Sequence, residues 1–135
     1  MPQNKSLLAL DVGEARVGVA IANSSVRIAV PFGALEVDGT ELEEIAKLVI
    51  KNEVDTIVVG YPRNQSGETT KQTAYVEEFA AKLTDMAEAV VFQDESLTSV
   101  IAEQRLKAQG GSFTKGDIDA EAAVIILQDY LEQLS

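Results

Sequence analysis

Cysteine and histidine are both absent from this chain of 135 residues, and much enzyme chemistry is absent with them. There can be no Ser-His-Asp triad, no thiolate nucleophile, no disulfide, no ordinary zinc site and no usual haem ligand. Any catalysis must run on carboxylates, hydroxyls, Lys and Arg, or on a hard oxygen-liganded ion such as Mg²⁺ or Mn²⁺. Positive charge is also scarce: 11 Lys and Arg stand against 22 Asp and Glu, a net charge of −11. So acidic a chain lacks the basic footprint of a nucleic-acid binder, and such a partner would have to be held through metal ions or local basic clusters. No apolar run approaches the ~18 residues of a membrane span, and "MPQNKSLLAL" carries no signal-peptide pattern. The expectation is a cytoplasmic protein with one domain over residues 1–135, and its 46% hydrophobic and 24% charged residues suit a globule.

What is present is a succession of short apolar runs. Residues 7–10, 16–22 and 26–35 read as three strands divided by "GEA" and "NSS", and links that short imply antiparallel hairpins. "DGTELEEIAKLVIKN" changes period. Thr40 and Glu43 have the spacing of a capping box, and Leu42, Ile45, Ala46 and Val49 share one helical face. "DTIVVG" (55–60) is a buried strand, followed by the loop "YPRNQSGE" and a helix over about 69–84 bearing Val76, Phe79, Ala80 and Leu83. "AVVFQ" (89–93) is a fifth strand, and Ser96 or Thr98 can cap the helix that ends near "QGG". A last helix, about 118–134, carries Ala123, Ile126, Leu127, Tyr130 and Leu134 on one side. The order βββαβαβαα predicts an α/β fold with a five-stranded mixed sheet and flanking helices. Strands one, four and five then run parallel and open on one edge.

Acids from distant parts of the chain meet at that edge: Asp11 after strand one, Asp94 and Glu95 after strand five, and Asp119 in the first turn of the last helix. Clustered carboxylates repel unless protonated or metal-bound, and a pair of divalent ions held by them can drive in-line phosphodiester displacement. Each acid also has a structural explanation. Asp before Gly favours turns, Asp94 and Glu95 can cap a helix, and Asp119 can complement a helix dipole, with Asp117 as the cap. The loop after strand four offers Arg63, Asn64 and Ser66 to phosphates or is simply a structured turn, and Arg16 and Lys115 are further candidate phosphate contacts. "DVGEARVGVA" also has the look of an actin-like phosphate loop, although a chain this short has no second lobe to close over a nucleotide. Gly13 suits a tight turn and Gly18 close packing.

Four stretches in order, "LALDVGEARVGVAIANS", "VVGYPRNQSG", "DESLTS" and "DAEAAVIILQDYL", resemble the YqgF/RuvX family over residues 6–134. That resemblance implies an RNase H-like fold with sheet order 3-2-1-4-5. It implies a metal-dependent endonuclease acting on structured RNA or branched DNA, in pre-16S rRNA maturation or Holliday junction resolution. Asp11, Glu95 and Asp119 match the family's catalytic acids. With Asp94, the alternative to Glu95, they would ligate Mg²⁺ or Mn²⁺, two ions in the family's chemistry. Arg16, Arg63, Asn64, Ser66, Thr98 and Lys115 become the substrate contacts, and a symmetric junction cut implies a homodimer. Ser96 stands where the family usually has arginine, and "SFTKGDID" offers one lysine where the family is richer in basic residues. A non-catalytic RNase H-like interaction module is the alternative, supported by the charge of −11 and by Ser96.

Overall fold

In the first apolar run both faces of the strand are buried, which puts it at the centre of a sheet. The computed structural model describes residues 6–23, 25–62, 71–95 and 98–134. Strand β1 (Ser6–Val12) turns Leu8, Leu10 and Val12 to one side and Leu7 and Ala9 to the other, all buried. It pairs antiparallel with β2 (Arg16–Asn23), which pairs antiparallel with β3 (Val30–Glu36). On its other side β1 runs parallel to β4 (Val54–Pro62), itself parallel to β5 (Ala89–Glu95). The strand directions are those the sequence predicts, and the order β3-β2-β1-β4-β5 is the one the family resemblance implies.

The two faces of the sheet differ in side-chain size, and this decides how closely the helices approach. Helices α1 (Glu41–Lys51) and α2 (Lys71–Ala81) cover a face of large aliphatics, with Ile45, Leu48, Val49, Val76 and Phe79 packed on Leu8, Leu10, Val17, Val19, Ile57 and Val59. Helix α4 (Lys115–Gln133) covers the other face, where Ala123, Ile126, Leu127 and Leu131 meet Ala9, Ala20, Ala22 and Val58. Helix α3 (Thr98–Gln109) packs on the back of α4 through Ala102, Ala122 and Ile125. The small residues beneath α4 let it lie close to β1 and β2. The limit is reached at Gly18, where a Cβ would stand 1.9 Å from the backbone oxygen of Asp119. Gly18 is a close-packing residue, as its sequence setting suggests.

Several boundaries differ from the sequence expectation for identifiable reasons. Strand β1 continues to Val12, so Asp11 lies within the strand instead of after it. Residues 26–29 are not part of β3. Arg27 has φ 61° and its Nη2 donates to the Leu131 carbonyl, while the Ala29 N–H donates to Gln128 Oε1 at 3.1 Å. That segment is strapped to α4 and cannot also join the ladder. At α1 no capping box forms, because Thr40 donates its hydroxyl and its N–H to Asp38 Oδ1 at 2.6 and 3.0 Å. Glu41, not Glu43, reaches back, accepting from the Gly39 N–H at 2.9 Å. The capping box belongs to α4: Asp117 N–H donates to Thr114 Oγ1 at 3.1 Å and Thr114 N–H to Asp117 Oδ2 at 2.9 Å. Helix α4 thus begins at Lys115, and Asp119 falls in its second turn instead of its first. At the far end Leu131 is buried and Leu134 exposed, the reverse of the expected inner face.

Two glycine substitutions test this packing. Gly18→Ala should destabilise the fold by about 2 kcal/mol or more, since only backbone stands in the way of the new methyl. Gly116→Ala, whose Cβ would meet Ala34 Cβ at an ordinary 3.4 Å near the helix start, should be neutral or gain up to ~1 kcal/mol. Urea denaturation of both variants checks the pair, and equal effects would contradict the steric argument.

Candidate active site

The alternation that buries Leu7 and Ala9 beneath α4 puts Asp11 on the same side of β1. Asp11 pairs in register with Gly18, the point where α4 presses closest to the sheet and carries Asp119. Strand β4 brings Gly60 to the same face, one pleat beyond Val58. A Cβ on Gly60 would lie 2.5 Å from Ile126 Cδ1 and 3.0 Å from the Glu95 carboxyl. The missing side chain leaves room for Glu95 to reach from β5 across β4 toward Asp11. Two glycines therefore bring together carboxylates from β1, β5 and α4.

The crowding shows in the titration of these groups. Asp11 is pushed up to about 7, first by burial and then by the negative charges of Glu95 and Asp119. Burial also raises Glu95, opposed by Thr98, whose Oγ1 donates to Glu95 Oε2 at 2.8 Å. Asp119 accepts a 2.6 Å hydrogen bond from Arg16 Nε, and that bond holds the guanidinium above its ordinary pKa. Three anionic oxygen donors, in a chain with no histidine or cysteine, suit a hard divalent cation in kind. As they stand, Asp119 is engaged by Arg16 and Glu95 by Thr98. Among the described residues no three acids are close enough together to hold one ion. The donors fit in chemistry and convergence, and ligation requires side-chain rotation.

The family model described as "RuvX: Holliday junction resolvase" matches residues 5–133. The chain belongs to the RuvX family. Among its relatives, a Chloroflexus aurantiacus protein bearing the name of a pre-16S rRNA nuclease is 43% identical over 131 residues, covering 93% of this chain and 86% of that protein. A Shewanella oneidensis protein of the same name is 38% identical over 133 residues, covering 95% and 94%. RuvX membership makes the chain a nuclease. Two resolvases share its fold: Thermus thermophilus RuvC, in a complex with a Holliday junction substrate, at TM-score 0.57, 11% identity and 96% and 95% coverage, and the fowlpox virus resolvase, solved with Holliday junction DNA, at TM-score 0.54, 14% identity and 96% and 98% coverage. The RNase H-like sheet order implied by the family resemblance is the one observed.

The remaining candidate residues of this RuvX chain separate clearly. Asp94 and Glu95 point to opposite faces, as neighbours in a strand must. Asp94 pairs in register with Tyr61 and lines a cavity of about 550 Å³ with Glu77, Phe92 and Ala80 between β5 and α2, across the sheet from Asp11. Lys115 is exposed one helical turn before Asp119, on the same side of α4. Thr98, the first residue of α3, has its hydroxyl hydrogen committed to Glu95. Arg63, Asn64, Ser66 and Ser96 lie outside the described residues. The sequence reading missed the role of Gly60 and the partner of Arg16. A glycine inside the apolar run "DTIVVG" is a signal of close approach, whereas nothing local links Arg16 to a residue 103 positions away.

A pH experiment tests the cluster. A carboxylate whose folded pKa is raised stabilises the fold relative to its ionised form at low pH, and that contribution is lost as pH rises from about 4 to about 7. In EDTA, Asp11→Asn should match the wild type near pH 4 and be more stable at pH 8, by between ~1 and ~4 kcal/mol. A difference independent of pH in urea melts would contradict the crowded site.

Proposed function

We propose that this RuvX nuclease is a divalent-metal-dependent endonuclease of structured nucleic acid, with Asp11, Glu95 and Asp119 as its catalytic acids and ligands of Mg²⁺ or Mn²⁺. The observation that carries this reading is the partly buried Asp11 beside two further carboxylates, in space cleared by Gly18 and Gly60. Such crowding costs stability and serves no packing purpose. When bound, divalent ions would activate the attacking water and neutralise charge at the scissile phosphate. The chain's own part is to fix the three acids on β1, β5 and α4 and to grip the backbone. Lys115 sits on the rim for this purpose, and Arg63, Asn64 and Ser66 follow strand β4. Asp94, facing α2, is left out of the ligand set.

The names of the relatives support a substrate class. Those sharing 38–43% identity are named for pre-16S rRNA, and two proteins of the same fold were solved with Holliday junctions. Precursor 16S rRNA is the favoured substrate and a four-way DNA junction the second. Work on ribosomal precursors would suit a cytoplasmic protein, and among the described residues no helix is long and apolar enough to cross a membrane. Symmetric cutting of a junction would call for a homodimer, and Val30 and Phe32 on β3, with Val26 and Ile28 in the segment before it, are all exposed and offer an apolar surface for a second copy.

Cleavage of a precursor-16S fragment and of a four-way junction in Mn²⁺ tests the reading. Asp11→Asn, Glu95→Gln and Asp119→Asn should each lose at least ~100-fold, since even residues that only orient ligands cost 10–100-fold in such sites. Asp94→Asn should stay within about threefold of wild type, because its carboxylate lies across the sheet. Equal rates for wild type and Asp11→Asn would leave the non-catalytic interaction module as the better description.

A further inference from the structure

The sequence offers Arg16 as a phosphate contact, yet the structure shows it bonded to Asp119 at 2.6 Å, with the two side chains only 28% and 21% exposed. Its backbone is fixed at the corner of the β1–β2 hairpin, where the Gly13 N–H donates to the Arg16 carbonyl at 3.0 Å. Glu36 faces it in register across the β2–β3 ladder and adds to its positive character. A divalent cation held by the Asp119 carboxylate would stand close to the guanidinium on Oδ2, and the two positive charges repel at that range.

We propose that Arg16 is a latch on Asp119: metal binding displaces it, and the released guanidinium turns to the phosphate backbone of the substrate. The inference rests on Asp11, Glu95 and Asp119 being the ligand set. Arg16 acts on the metal through Asp119, so toward the metal it is a positioning residue; toward the substrate it supplies donors matched to phosphate geometry. Glu36 keeps the freed group at the rim of the site. The consequence is thermodynamic coupling. An ion that releases Arg16 strengthens substrate binding, and by linkage the substrate strengthens ion binding by the same factor. In a chain of net charge −11, this device presents a cation to nucleic acid only when the site is loaded.

The full-length ¹⁵N-labelled protein can be titrated with Mg²⁺ while the Arg16 Nε–Hε signal and the backbone amides of Asp11, Glu95 and Asp119 are followed by NMR. The expected result is a shift of all three amides together with loss of the carboxylate-bonded position of the Arg16 signal. Amides that shift while Arg16 stays paired would overturn the latch and leave the metal site standing. Amides that do not move would overturn both. In calorimetry, Arg16→Gln should bind Mn²⁺ roughly three- to tenfold more tightly than wild type, the value of a partly exposed charged hydrogen bond. Unchanged or weaker binding would mean that Arg16 holds Asp119 in its ligating pose. Finally, Ca²⁺ should tighten wild-type binding of a labelled four-way junction or precursor-16S fragment severalfold more than that of Arg16→Gln. An equal gain in both would overturn the hand-over to phosphate.

Discussion

The contact between α4 and the sheet at Gly18 is the constraint from which the site is built. A side chain of any size at that position would strike the backbone oxygen of Asp119, so α4 could not lie where it does. The capping box at Thr114 and Asp117 sets where the helix starts, and Ala123, Ile126 and Leu127 on the small-residue face set its rotation. With start, rotation and depth all determined, Asp119 can only arrive above the Asp11–Gly18 pair. Gly60 makes the corresponding space on the other side, admitting the Glu95 carboxyl beside Ile126. The steric allowance of two glycines thus becomes an electrostatic feature.

That feature works against the stability of the fold. Asp11 is partly buried near two like charges and is driven to about 7, so near neutral pH the folded chain carries an unfavourable ionisation that its unfolded form does not. The chain relieves part of the repulsion from within, through Arg16 on Asp119 and Thr98 on Glu95. A core made mostly of aliphatic residues and alanine on both faces of the sheet offsets the rest. Local frustration of this kind, in a molecule elsewhere consistent from propensity to packing, is characteristic of a site retained for function.

Most of the fold could be read from the sequence because its signals are local. Short apolar runs with glycine-bearing links specify hairpins, and the change to helical spacing after residue 40 specifies crossovers and hence parallel strands. The errors arose where one residue type serves two purposes. Thr40 donates to Asp38 instead of capping α1, and Thr114, in a less conspicuous setting, makes the true capping box. Residues 26–29 have the composition of a strand but are claimed by Gln128 and Leu131 of α4, partners about a hundred positions away.

The sequence by itself determined the chemistry available to this protein. A chain without histidine or cysteine is left with carboxylates, hydroxyls, Lys and Arg, or a hard oxygen-liganded ion for any hydrolytic work. It determined the element order and the strand directions as well, since periodicity and loop length are properties of neighbouring residues. The tertiary structure alone decided which acids meet. Strand alternation sends Glu95 to Asp11 and Asp94 to the opposite face. The same structure turned Arg16 from a free cation into the partner of Asp119. Those outcomes depend on where separate segments lie in space, and a side chain's charge does not encode the distance to a partner 103 residues away.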